Sequence, residues 1–298
     1  MGPNEKVLIQ FFMRTIPAST AGIGTLCVTS TPKLVLAAVF AAALLTGQAA
    51  AAEALRLGGT GSAAGMLQQV GAKFTAATGV KVVLTPSLGS TGAIRALTDG
   101  LLDIAMPARP LKADESAAGL RQVAVLRTAY VMATSDSNPN TLKSGDLAGI
   151  FAAEKPAWAD GTPIRIILRP RSDTDTALLG ELFPGMEKAI EAARRRAEVP
   201  TAATDQDNAA LAERTPGSLT GTTTTQLKTE KRNLQVVPLD GVKPTLANFE
   251  SGAYRFTKKL YLIVPRNSSA EAQRFVDFLQ SPQGVSALRE TEALPDTE

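Results

Sequence analysis

The sequence has no histidine and a single cysteine, Cys27. Without imidazole there is no His-based triad, no histidine general base and almost no route to a zinc centre. No G-x-S-x-G elbow is present, which argues against a secreted serine hydrolase. No pair of carboxylates stands out as an acid–base couple, so the chain is expected to be no enzyme and to carry no cofactor. Long apolar runs are also missing. The longest near the start, Leu34 to Leu45, has 12 uncharged residues, whereas a membrane-spanning helix needs about 20.

That short run is informative in its own right. Lys33 precedes it, small residues follow it, and Ala50-Ala51-Ala52 offers an A-x-A cleavage site before Glu53. A basic flank, a short apolar core and a small-residue exit predict a secretory signal peptide over 1–52. Its removal takes Cys27 with it, leaving neither a disulfide nor a thiol nucleophile. It also removes Lys6, Arg14, Lys33 and Glu5, so 31 basic and 28 acidic side chains fall to 28 and 27. With a net charge near +1 there is no broad single-sign field, and nucleic acid is not an expected partner. The run Arg194-Arg195-Arg196 reads as a solvated helix C-terminus, with Glu191 and Glu187 one and two turns earlier. Thr222 to Thr225 reads as strand or loop.

Short β-type runs alternate with helix-period runs, which predicts an α/β fold with mainly parallel strands. Leu55 to Leu57, Val82 to Leu84 and Asp103 to Met106 read as strands. Met66, Leu67, Val70 and Phe74 form one helix stripe, and Ile94, Leu97 and Leu101 another. Val123 to Thr134 is a longer extended run that ends in turn-rich sequence from Ser135. Ile164 to Leu168 and a helix with Leu178, Leu179, Leu182 and Phe183 would belong to a second body. Leu260 to Val264 then returns the chain to the first, where a last helix around Phe275, Phe278 and Leu279 packs. The expected organisation is 53–130 with 258–298 in one lobe, 131–257 in the other, and two hinge crossings.

Three times a strand enters a loop rich in Gly, Ser or Thr and a helix opens directly afterwards: Gly58–Ser62, Gly89–Gly92 and Arg169–Thr176. Each helix start offers unpaired N–H groups and a partial positive charge. Short hydroxyl side chains add donors. Candidate ligand-binding residues are therefore Thr60, Gly61 and Ser62, then Ser90, Thr91 and Gly92, then Ser172, Asp173 and Thr174. Arg109 and Arg169 are candidates to add a bidentate guanidinium, with Arg171 competing for the second role. Gly59-Thr60-Gly61 with Gly65 loosely resembles a dinucleotide fingerprint. The acidic residue that would hold a ribose is absent, because Thr85-Pro86-Ser87 follows the second strand.

With Gly-Gly-Thr-Gly-Ser at 58–62, Gly-Ser-Thr-Gly-Ala-Ile at 89–94, Asp-Ile-Ala-Met-Pro-Ala-Arg-Pro-Leu at 103–111, Arg-Pro-Arg-Ser-Asp-Thr-Asp-Thr at 169–176 and Pro-Gly-Ser-Leu-Thr-Gly at 216–221, the chain resembles the phosphate-binding-protein family of periplasmic ABC-transporter solute-binding proteins. Asp240 to Thr245 ahead of Tyr261 to Val264 fits the same pattern. The resemblance implies a two-lobed type II periplasmic binding protein, monomeric and extracytoplasmic. It would hold phosphate or a related oxyanion in an interlobe cleft and serve a permease in the inner membrane. Carried over by position, Ser62, Ser90 and Arg169, with Ser172 and Thr174, are the implied anion ligands. Two departures stand out. Where family members place an Asp that accepts an anion's proton, this chain has Ala108 followed by Arg109. The last motif reads Ser172-Asp173-Thr174-Asp175-Thr176, where Asp173 or Asp175 would either take over that role or turn away. A ligand sensor of the same fold with no transport role is the alternative. Replacing Arg169 by Ala is expected to weaken anion binding with little effect on folding.

Overall fold

The computed structural model describes residues 54–296, so the expected leader lies outside the described residues. Among the described residues no helix is long and apolar enough to cross a membrane. In chain order the elements are β1 (Leu55–Gly59), α1 (Gly61–Thr78), β2 (Val82–Thr85), α2 (Gly89–Thr98), β3 (Ile104–Met106), α3 (Ala113–Ala117), β4 (Leu120–Thr134), α4 (Leu147–Ala152), β5 (Arg165–Ile166) and α5 (Thr174–Leu182). They continue with α6 (Met186–Arg194), α7 (Asp205–Arg214), β6 (Ser218–Thr223), α8 (Thr224–Thr229), β7 (Gln235–Val237), α9 (Leu246–Glu250), β8 (Thr257–Pro265), α10 (Ala270–Gln280), α11 (Pro282–Glu290) and β9 (Ala293–Pro295).

Two-residue alternation explains why the sheet carries helices on both faces. Leu55, Leu57, Ile104, Met106, Leu260, Leu262 and Val264 point to one side, where Met66, Leu67, Val70 and Phe74 of α1 and Phe275 and Leu279 of α10 cover them. Ala105 and Ile263, of opposite parity, face Ala93, Ile94 and Leu97 of α2. Side chains of successive strand residues project to opposite faces, so both faces of these strands are dry. The stripe on α1 is set by helical spacing, and each large side chain buried there contributes about 1.5–3 kcal/mol. Phe74 meets Phe275 and Phe278 edge-on at centroid distances of 5.1 and 5.5 Å, a favoured arrangement of aromatic quadrupoles. The helix stops at Gly79, whose φ of 75° places it in the left-handed region.

A second core repeats the pattern. Tyr130, Met132, Ile166 and Leu168 pack with Phe151, Phe183, Met186 and Ile190. Ala133 and Ile167 face Ala209 and Ala212 of α7 on the other side. The strand order is β2-β1-β3-β8-β4-β6-β5, with β7 and β9 also pairing β4. β4 joins the two cores: Leu126 belongs to the first and Ala129 to Met132 to the second. β8 runs back alongside it, paired from Leu120↔Pro265 to Ala129↔Thr257 with one register shift between Gln122 and Ala124. β4 and β8 are thus the strands that link the two cores.

Two sequence expectations need correction. The strands are not mainly parallel: β1–β2, β1–β3 and β5–β6 are parallel, whereas β4 runs antiparallel to β6, β7, β8 and β9, and β3 antiparallel to β8. The outgoing and returning crossings have opposite directions, and they bring antiparallel pairing into the sheet centre. Leu101 is not on the buried stripe of α2. The helix ends at Thr98, Gly100 turns with φ 69°, and Leu101 is 63% exposed while Leu102 is buried in its place.

One glycine fixes the approach to the site. A Cβ on Gly59 would stand 2.4 Å from the Met106 carbonyl oxygen, the same oxygen that accepts the Thr60 N–H at 3.0 Å. Gly59→Ala therefore has to push β1 and β3 apart. The expected cost is about 1–3 kcal/mol, as for overpacking a dense core, read as a lower urea midpoint. An unchanged midpoint would mean that this strand spacing is not constrained.

Candidate functional site

β1 delivers Thr60 to the start of α1 in an extended conformation, 4% exposed, without a side-chain hydrogen bond that caps its own helix. The start of α2 is similar. Gly89 takes φ 68°, and Leu88 at the N-cap offers no side-chain acceptor. Neither helix supplies its own cap, so the first N–H groups of both lack the usual Ser/Thr/Asp partner within the helix. Ser90 is 6% exposed, and its Oγ accepts the Ala108 N–H at 2.9 Å. That leaves its hydroxyl proton to donate elsewhere.

The third loop is built differently. Asp173 caps α5 itself, with Oδ1 accepting the Asp175 N–H at 2.9 Å, while its Oδ2 accepts from the Arg169 guanidinium at 2.7 Å. Thr176 Oγ1 donates to the Pro170 carbonyl at 2.9 Å and pins the turn.

A cavity of about 300 Å³ lies where these three loops meet, lined by Thr60, by Leu88 to Gly92, by Pro170 and Ser172 to Thr174, and by Ala203. Of the sequence candidates, Thr60, Ser90, Thr91, Gly92, Ser172, Asp173 and Thr174 thus share one wall. Gly61 and Ser62 stand just behind Thr60, where the buried Ser62 Oγ has no partner among the described residues. Arg169 lies beneath the wall, its side chain 6% exposed. It donates to the Ala202 carbonyl at 2.9 Å and to Asp173, with Asp205 at 3.9 Å. A larger cavity of about 690 Å³ runs past Lys155, Pro156, Ile164 and Val199. No helix start opens into it, so size alone does not locate the site.

Arg109 is a correction. It forms a bidentate pair with Glu115 at 2.8 and 2.7 Å and reaches its neighbour's Pro110 carbonyl. The Arg109 fork holds the Glu115 carboxyl below its ordinary range, and Arg109 does not line the cavity. Arg171, the competitor for the buried role, is on the surface at 68% exposure, paired with Glu191. The Arg194-Arg195-Arg196 run is less solvated than its composition suggests. Arg194 donates to the Arg169 carbonyl at 2.9 Å, and Arg196 turns in to the Ala153 and Phe151 carbonyls.

Several residues of the site escaped the sequence reading. The carboxylate of Asp205, the first residue of α7, accepts the Ser62 N–H at 3.0 Å and the Thr60 hydroxyl at 3.4 Å. Lys258 of β8 also escaped it; with Asp175 of α5, which the sequence did single out, it forms a buried ion pair, each residue 1% exposed. Lys258 shares strand parity with Leu260, Leu262 and Val264, a period-two signal that marked it as inward-facing. Two cations, Arg169 and Lys258, thus face three carboxylates, Asp173, Asp175 and Asp205. Burial pushes the Asp175 carboxyl up to about 6, opposed by Lys258 and reinforced by Asp205 and Asp173. Burial, then the charges of Asp175, Asp173 and Asp205, lift the Tyr130 phenol well above its ordinary value, so it stays protonated. Among the described residues no cluster of side chains fits a metal ion.

Fold and cavity together define a type II two-lobed binding architecture. The PBP superfamily domain matches residues 46–283, and the chain belongs to that superfamily. No curated protein matches it in sequence. Among solved structures it is similar to a protein from Clostridium perfringens assigned as a phosphate ABC-transporter substrate-binding protein, with bound phosphate, at 15% identity and TM-score 0.70, over 82% of this chain and all of that one. An ABC-type phosphate transport receptor from Vibrio cholerae aligns at 16% identity and TM-score 0.56, over 80% and 99% of the two chains. The periplasmic molybdate-binding protein of Azotobacter vinelandii aligns at 12% identity and TM-score 0.54, over 80% and 98%. These likenesses establish the fold.

The burial of Arg169 changes what its loss should do. Arg169→Ala strands Asp173 and Asp205 without their shared cation, so the folded state should lose about 3–5 kcal/mol, contrary to the expectation of little effect on folding. Urea unfolding reads this directly, and a loss under about 1 kcal/mol would mean that water already solvates both acids.

Lys258→Met leaves Asp175 alone. Its carboxyl, already raised, rises further. An acid whose folded value exceeds its unfolded one loses stability as pH climbs from the lower value through the higher. The variant should therefore be much less stable than wild type at pH 8 and closer to it at pH 5. An equal deficit at both would contradict the assignment.

Proposed function

We propose that the chain is an extracytoplasmic solute-binding protein that takes phosphate or a similar tetrahedral oxyanion between two lobes and hands it to an ABC permease. The lobes would be 53–130 with 258–298 and 131–257, meeting at the cavity. The observation that carries this reading is the meeting of three helix-opening loops at one cavity, two of them on helices with no cap of their own. Partial positive charge and outward N–H groups at such termini are an anion-binding arrangement. The Ser90, Thr91, Ser172 and Thr174 hydroxyls add donors on short stems.

The carboxylates narrow the reading. An anion entering next to Asp173 and Asp205 is repelled unless a proton is shared or a carboxylate moves. Oxyanions that carry a proton near neutral pH suit such a wall better than fully ionised ones. Phosphate and molybdate appear in the names of the structural neighbours, and both enter the test. The expected leader, which would export the chain, is consistent with the location this role requires.

Calorimetry of residues 53–298 against phosphate, sulfate, molybdate and tungstate tests the proposal. Saturable one-to-one binding of at least one anion is expected, with a rise in melting temperature at excess ligand. Absence of binding to all four at millimolar concentration would remove it.

A further inference from the structure

The N-terminus of α1 already holds a carboxylate. Asp205 Oδ2 lies 3.0 Å from the Ser62 amide nitrogen and 3.4 Å from Thr60 Oγ1. Its Oδ1 is 3.9 Å from the Arg169 guanidinium. Thr60 lines the cavity, and under the anion-binding reading it and the two groups behind it are donors that an entering oxyanion would reach. Gly61 makes the approach feasible, since a Cβ there would stand 2.6 Å from Asp205 Oδ2.

The next residue grips the same segment. Gln206 Nε2 donates to the Gly61 carbonyl at 3.0 Å, and its Oε1 accepts the Ser87 hydroxyl at 2.7 Å. Asp205 and Gln206 start α7, in the second lobe as proposed above, while Thr60, Gly61, Ser62 and Ser87 belong to the first. Two consecutive residues therefore join the proposed lobes beside the cavity. Asp205 is 7% exposed, so its charge is compensated by these donors rather than by bulk water.

We infer that Asp205 is an internal anion, a latch that occupies the α1 terminus and competes with an incoming oxyanion for the same donors. The α1 donors are then spoken for, while the α2 terminus stays open to the first contact with a ligand. Affinity is lowered by the fraction of molecules in which the latch is closed. Gln206 has no charge to compete with and contributes to the latch only through its hydrogen bonds to Gly61 and Ser87; a third, to Glu230, stays within the second lobe. This rests on the anion-binding reading, and the test separates the two.

Wild type, Asp205→Asn and Asp205→Ser are each titrated with inorganic phosphate by calorimetry, after thermal melts confirm that they fold. Asn keeps an acceptor for the Ser62 N–H but removes the charge; Ser removes the reach. Both are expected to bind phosphate about tenfold more tightly than wild type. Small-angle scattering without ligand should show both variants to be more expanded, with wild type compact. If wild type binds phosphate and both variants bind it equally or more weakly, Asp205 helps hold the ligand and the latch is wrong while the receptor reading stands. If none of the three binds, the receptor reading fails and the latch with it.

Discussion

The first N–H groups of a helix have no carbonyl partner within it, and a protein must satisfy them or leave them for something else. In this chain that obligation organises the site. α5 and α7 start with caps of their own, from Asp173 and from Thr204. α1 and α2 do not, and their starts face one cavity. Evolution commonly places Ser, Thr, Asn or Asp at the N-cap, a contact worth about 1 kcal/mol. Forgoing it at both starts is what an acceptor from elsewhere requires: Asp205 of α7 supplies one at α1, and the proposed anion would supply the other.

The charge balance would set the terms on which the proposed anion enters. Arg169 is the strongest donor near the cavity, and it is bound to Asp173 and lies close to Asp205. Beneath it the Lys258–Asp175 pair is sealed from water. Buried pairs of this kind contribute little net stability but are costly to break, so they hold loop geometry more than they stabilise the fold. The pair also ties β8, one of the two crossings, to the start of α5. A shift of β8 against α5 would therefore be felt at the wall of the cavity.

How much of this was legible in the sequence depended on the kind of signal. Period-two and helical spacing located β1, α1, β2, β3, β4, β8 and α10, because each has a face that must be buried. Spacing carries no direction, so it missed that β4 runs antiparallel to its neighbours. The Gly/Ser/Thr loops were visible because capless helix starts need small residues. Whether an arginine points inward is decided by partners far away in sequence: Arg109 found Glu115 six residues on, whereas Arg169 found Ala202. Asp205 resembles an ordinary acid in a helix's first turn, next to the Thr204–Asp207 capping box. Only the folded chain brings it to Ser62, 143 residues earlier. Lys258 was the recoverable miss, since strand parity alone pointed it inward.

The central claim is that helix starts without caps of their own hold the ligand, and amide resonances report on that most directly. In a titration of the isotope-labelled protein with phosphate, the backbone N–H signals of Ser90, Thr91 and Ser62 should move the furthest, in step with one another and with a single saturation point. Movement confined to distant surfaces, with those three amides unmoved at saturation, would contradict the account.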